Sequence, residues 1–223
     1  MTIVSVSHGF IFVHVPKTAG TSLKRYLRPF EREGDVHIEV AREAVRANFA
    51  LRKHCSVAEI RQQLGEERFA SLFKFSAVRN PFDRTLSTFL FLKFNFRDWD
   101  SSEQMDAFDS LESFVSSDLF GRSGPGRIFL PQSSWLTDAA GKLTTDAIIK
   151  MESLESDMAV VLKTLGLNRP SRAIPERNQS KANRAPFGAE LSKGAVVDAI
   201  RQRYANDFEM FNYQMSPDRS LMV

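Results

Sequence analysis

The chain has 223 residues, of which 43% are hydrophobic, a formal net charge of +3 and a single cysteine, Cys55. That length and apolar content suit one continuous core, and the near-balanced charge speaks against a general polyanion binder. A lone cysteine excludes an internal disulfide and fits a reducing compartment.

Residues 11–15 read as a short buried strand that runs into Pro16-Lys17-Thr18-Ala19-Gly20-Thr21-Ser22 and then into a helix ending near Leu27. A helix start leaves backbone N–H groups unpaired and carries the positive end of the dipole, so this turn reads as a phosphate site. Gly20 is expected to let the backbone approach the anion, while Lys17, Thr21 and Ser22 add charge and hydroxyl donors. The order is not that of a Walker A loop, G-x-x-x-x-G-K-[ST], because the lysine precedes the glycine. Something other than ordinary ATP is the expected ligand.

The polar stretch 31–53 shows no strand pattern. Ser56 to Glu59 forms a capping box, and Val57, Ile60 and Leu64 recur at helical spacing, which predicts a helix to about Phe69. Residues 73–78 read as a second buried strand leading to Arg79-Asn80-Pro81. Asn80 suits an N-cap and Pro81 the first helical position, and Leu86, Phe89, Leu90 and Phe94 are expected to face the core. Arg79 then lies at the strand's carboxyl end, with Arg84 and Ser87 on one face of the helix's first turns. This is a second anion site.

Residues 98–135 read as a helical insertion on the substrate face, with Leu111, Phe114 and Val115 on one helix and a turn-rich loop at 121–127. A short strand at 147–151 precedes a helix traced by Leu154, Met158, Val161 and Leu165 and closed by Gly166. The last helix, about 196–211, repeats Val197, Ile200, Tyr204 and Phe208. This alternation predicts an α/β fold: one domain over residues 1–223 with a P-loop-like parallel β-sheet flanked by helices and ligands at the strands' carboxyl ends. The locally basic stretch 169–193 lacks interleaved aromatics, so nucleic acid is not an expected partner. No run reaches the roughly 20 apolar residues that span a bilayer, and the first residues lack the signal-peptide pattern, so a soluble, cytoplasmic protein is expected.

Together the two anion segments resemble the sulfotransferases that use 3'-phosphoadenosine 5'-phosphosulfate (PAPS), in particular the carbohydrate (Golgi-type) branch and its bacterial relatives. The resemblance continues in the family's order through Phe129-Leu130-Pro131-Gln132-Ser133-Ser134-Trp135-Leu136, Met151-Glu152-Ser153-Leu154 and Asn178-Gln179-Ser180. It implies that Pro16, Lys17, Thr18, Ala19, Gly20, Thr21 and Ser22 hold the 5'-phosphosulfate and that Arg79 and Ser87 hold the 3'-phosphate. Asn178, Ser180 and Lys181 fall where the family places a loop over the nucleotide, and equally read as a plain polar loop. PAPS is then the donor, adenosine 3',5'-bisphosphate the product, and no metal is needed. The implied acceptor is a hydroxyl on a carbohydrate or glycoconjugate. Golgi members are typically membrane-anchored, so the expectation here is a bacterial-type enzyme acting before its product is exported.

Within that reading, Lys17 stabilises charge on the leaving phosphate. His54 resembles a histidine that some relatives use to deprotonate the acceptor, a task suited to an imidazole. Asp98 and Asp100 are other contenders, and His14, on a predicted buried strand, reads as a packing residue. Cys55 is not made a nucleophile by having His54 next to it in sequence. Gln132 and Trp135 suit acceptor binding and sugar stacking, and equally suit a Pro-initiated turn and a core tryptophan. Arg84 reads either as a nucleotide contact or as the partner of a carboxylate. Two other functions fit the same loops: a nucleotide kinase or NTPase with an unusual P-loop, and a non-catalytic nucleotide-binding relative. The presence of Lys17 argues against the latter.

Overall fold

The computed structural model describes residues 2–37, 54–95, 102–124, 127–175, 184–218 and 221. Strands β1 (Ile3–Ser5), β2 (Phe10–Val13), β3 (Val36–His37), β4 (Phe73–Val78) and β5 (Ala147–Lys150) form a five-stranded sheet in the order β3-β1-β2-β4-β5. β2, β4 and β5 run parallel, with Phe12 opposite Phe75 and Phe75 opposite Ala147, whereas β1 pairs antiparallel with β2 and with β3. The parallel strands are those the sequence predicts. The antiparallel edge is additional, because strands of three and two residues are too short to show a period.

Among the described residues the α-helices are, in chain order, α1 (Gly20–Leu27), α2 (Val57–Leu64), α3 (Glu66–Ser71), α4 (Pro81–Phe94), α5 (Leu111–Val115), α6 (Asp118–Gly121), α7 (Ser133–Leu136), α8 (Leu154–Thr164), α9 (Arg184–Gly188), α10 (Gly194–Arg203) and α11 (Ala205–Met210). Strands and helices gather into two compact units, Met1–Val78 with Gln132–Arg177, and Arg79–Pro131 with Asn178–Val223. The expected insertion at 98–135 falls mostly in the second unit, which also takes in α4 and the C-terminal helices.

The first unit holds the whole sheet. Side chains alternate across a strand, so Phe10 and Phe12 of β2 and Phe75 and Ala77 of β4 share one face. They pack there against Leu23, Tyr26 and Leu27 of α1 and Met158, Val161 and Leu162 of α8. Each large side chain buried in this way stabilises the fold by about 1.5–3 kcal/mol before entropy is counted. On the opposite face Ser76 Oγ donates to the Val13 carbonyl at 2.7 Å, which ties β4 to the end of β2. Buried Lys74 is held by Asp146 (3.1 Å) and the Leu72 carbonyl (2.6 Å), which fixes the entry to β5. Ser56 and Glu59 form the expected capping box at α2. The helix predicted to run to Phe69 is interrupted at Gly65, whose φ of +78° ends α2 and starts α3.

The second unit is helical. Asn80 Oδ1 accepts from the Phe82 N–H at 3.0 Å and Pro81 occupies the first turn of α4, as the sequence predicts. Phe82, Leu86, Phe89 and Leu90 of this helix pack with Phe114, Phe129, Ile200 and Phe208 in one core. Phe94, expected to join them, is instead 44% exposed at the end of α4. The single helix predicted over 196–211 breaks at Tyr204, whose buried ring joins this core between α10 and α11. Among the described residues no helix is long and apolar enough to cross a membrane.

Candidate active site

β2 delivers the chain into the first anion segment. Lys17 and Ala19 both adopt left-handed backbone, with φ of 68° and 61°, and α1 begins directly afterwards at Gly20. Left-handed conformation costs a side-chain-bearing residue about 1–2 kcal/mol, so two such positions within three residues must be held by their surroundings. Left-handed positions of this kind turn successive backbone N–H groups to one side, the geometry of an anion-binding nest. The first helical bonds run from Ser22 and Leu23 to the Ala19 carbonyl, at 2.9 and 3.0 Å. Helix geometry therefore leaves the N–H groups of Gly20 and Thr21 without an intrahelical partner.

The side chains of this loop divide their work. Thr18 is wholly buried and its Oγ1–H donates to the Val15 carbonyl at 2.9 Å, so its hydroxyl braces the turn. Pro16 and Ser22 are buried, Lys17 and Ala19 half-buried, and Thr21 exposed. A Cβ at Gly20 would fall 1.8 Å from His14 Nε2, so the missing side chain makes room for an imidazole.

His14 is buried, stacks on Phe12 with ring centroids 6.0 Å apart, and lies 4.4 Å from the His54 ring. The His14 Nδ1 is buried with no hydrogen-bond partner among the described residues. His54 Nδ1 sits 3.0 Å from the His14 carbonyl oxygen. A carbonyl only accepts, so Nδ1 carries the proton and the lone pair of the neutral ring lies on Nε2. Trp135 stands edge-on to His54 at 6.1 Å and is buried, as are Gln132 and Cys55. Trp135 donates its backbone N–H to the Gln132 carbonyl at 3.1 Å, and both side chains are buried.

The second anion segment belongs to the helical unit. Arg79 Nε donates to Asp83 Oδ2 at 2.5 Å, and Arg184 donates to the other oxygen of the same carboxylate. Burial pushes the Asp83 carboxyl up, but the charges and hydrogen bonds of Arg79 and Arg184 outweigh it and hold the group below its ordinary value. Sequence reasoning passed over Asp83 and Arg184. The spacing of Arg79 and Asp83, one helical turn, was the available signal for the first pair, whereas Arg184 lies 101 residues further on. Ser87 is buried on α4. Arg84 is buried, donates to the Ile128 carbonyl at 2.9 Å and lies 5.6 Å from the Tyr204 ring centroid, which makes it a core strut. Asn178, Ser180, Lys181, Asp98 and Asp100 lie outside the described residues. No cluster of three or more His, Cys, Asp or Glu side chains suited to a metal occurs among the described residues.

β2 and β4 are parallel neighbours, with Val13 opposite Ser76, so each anion segment follows the carboxyl end of one of two adjacent strands. Open α/β sheets bind ligands at those ends. The class so defined is an α/β protein whose sheet carries three parallel strands, β2, β4 and β5. The model of the sulfotransferase family matches residues 1–214, and the chain belongs to the sulfotransferase family. Comparison with curated proteins and with solved structures gives no match. Family membership makes the chain a transferase that moves a sulfuryl group to a hydroxyl-bearing acceptor.

Proposed function

We propose that the chain transfers the sulfuryl group of PAPS to a hydroxyl of a carbohydrate or glycoconjugate and releases adenosine 3',5'-bisphosphate. The observation that carries this reading is the left-handed pair Lys17 and Ala19 directly ahead of α1, a costly conformation with an anion-binding geometry. The backbone of residues 16–22 would take the 5'-phosphosulfate, and Arg79 with Ser87 the 3'-phosphate. Asn178 and Ser180 would be further nucleotide ligands.

In this mechanism the acceptor oxygen attacks sulfur as the bond from sulfur to the bridging phosphate oxygen breaks. Lys17 stabilises the charge that builds on that leaving oxygen, and the N–H groups at the start of α1 share it. The acceptor's proton passes to His54 Nε2. Its Nδ1–H, held by the His14 carbonyl, keeps the ring oriented and supports the imidazolium that forms. The Trp135 ring stands edge-on beside His54. No step is routed through a metal.

Incubation with radiolabelled PAPS and a panel of oligosaccharides tests the proposal. Label transferred to a sugar hydroxyl supports it. Tight donor binding with no transfer to any hydroxyl compound would favour the non-catalytic alternative.

A further inference from the structure

Asp83 is the hub of the charged residues at the start of α4. Its Oδ2 accepts from Arg79 Nε at 2.5 Å and its Oδ1 from Arg184, and all three side chains are largely buried, Arg79 at 9%, Asp83 at 12% and Arg184 at 16% exposure. Arg184 opens α9 and comes from far along the chain, so two guanidinium groups converge on one carboxylate without any local reason to do so.

Stability is a weak explanation for this arrangement. The desolvation of buried charges offsets most of their mutual attraction, and apolar side chains would hold the same elements together as well. Geometry explains it better. A guanidinium held at Nε is fixed in direction, and a guanidinium so fixed can make two parallel hydrogen bonds to a phosphate. Arg184, on the second carboxylate oxygen, stops Asp83 from turning.

We propose that Asp83 and Arg184 are positioning residues for recognition of the donor's 3'-phosphate. Arg184 fixes the Asp83 carboxylate, Asp83 fixes the Arg79 guanidinium, and Arg79 binds the phosphate. The inference rests on the reading of Arg79 as the 3'-phosphate ligand. Discrimination between nucleotides with and without that phosphate then depends on two residues that touch neither.

Calorimetric titration with adenosine 3',5'-bisphosphate and with adenosine 5'-monophosphate, on the full chain and on Arg79→Ala, Asp83→Asn, Arg184→Gln and Arg184→Lys, tests it. Asp83→Asn and Arg184→Gln should each weaken the bisphosphate by about tenfold, the scale of one lost charge-assisted hydrogen bond, and leave the monophosphate unchanged. Arg184→Lys, which keeps the ion pair, should retain most of the preference. Parallel losses for both nucleotides, or a bisphosphate affinity that stays level or rises, would overturn the proposal. If Arg79→Ala removes the preference while Asp83→Asn and Arg184→Gln keep it, the positioning role is wrong and the assignment of Arg79 stands. If the wild type shows no preference, or Arg79→Ala preserves it, the assignment of Arg79 itself fails. Arg184→Gln, at the outer end of the three, decides the question should Asp83→Asn not fold.

Discussion

The imidazole of His14 occupies the space that a Gly20 side chain would need, 1.8 Å from Nε2 to the position of a Cβ. The same residue's carbonyl holds His54 by Nδ1 at 3.0 Å. Gly20, in the proposed phosphate loop, and His54, the proposed base, are thus connected through one buried histidine. Gly20→Ala should cost about 1–3 kcal/mol through overpacking, read as a lower thermal midpoint. Because the displaced ring belongs to the residue that orients His54, kcat should fall more than donor affinity. A variant with wild-type stability and turnover would show that the ring moves aside without consequence.

Ala19 offers the opposite test. Its φ of 61° carries the usual left-handed penalty of about 1–2 kcal/mol, which glycine does not incur. Glycine also adds unfolded-state entropy worth about 0.4–1 kcal/mol, so Ala19→Gly should be stabilising by a net of about 0.5–1 kcal/mol. Denaturant titration measures this directly. A clear loss of stability would contradict the strained-loop description.

Lys17 and His54 should separate binding from chemistry. Lys17→Ala is expected to lower kcat by about 10²-fold or more while sparing much of the affinity for adenosine 3',5'-bisphosphate, since its charge is aimed at the leaving oxygen. His54→Gln is expected to lower kcat by about 10²–10⁴-fold with donor binding intact. Near-normal turnover in His54→Gln would remove His54 from the role of base.

Asp83 makes stability depend on acid. Its carboxyl lies below its ordinary value in the folded chain, against about 3.9 when unfolded, so between the two values the unfolded chain binds more protons. The stabilisation is fully present above about pH 4 to 5 and is lost as pH falls through the folded value. Asp83→Asn leaves two buried arginines without their carboxylate and should cost about 3 kcal/mol or more at neutral pH. The gap between the melting curves of wild type and Asp83→Asn should narrow steadily on acidification. A gap that is constant with pH would show that the carboxylate's charge is not what holds Arg79 and Arg184.

What could be read from the sequence was local. Asn80 with Pro81, and Ser56 with Glu59, each signal a helix start within four residues, and both starts are present. The strands β2 and β4 show as apolar runs because both of their faces are buried. Relationships set by tertiary packing were not visible. Arg184 reaches Asp83 across 101 residues, and nothing in its neighbourhood marks it. The left-handed turns at Lys17 and Ala19 escaped notice because glycine is the residue that advertises them. Gly20 reads as a site of close approach, and His14 approaches it. Trp135 and Gln132 read equally as substrate and core residues, because burial is not visible in a sequence.

Whether the chain reads a nucleotide carrying both 5'- and 3'-phosphates is decided by a paired titration. The wild-type protein is titrated with adenosine 3',5'-bisphosphate in the absence of metal and, separately, with ADP and Mg²⁺. A sulfotransferase built on the Lys17 loop and Arg79 should bind the bisphosphate more tightly and without metal. Preference for ADP with Mg²⁺ would contradict the proposed donor and put a kinase-like reaction in its place.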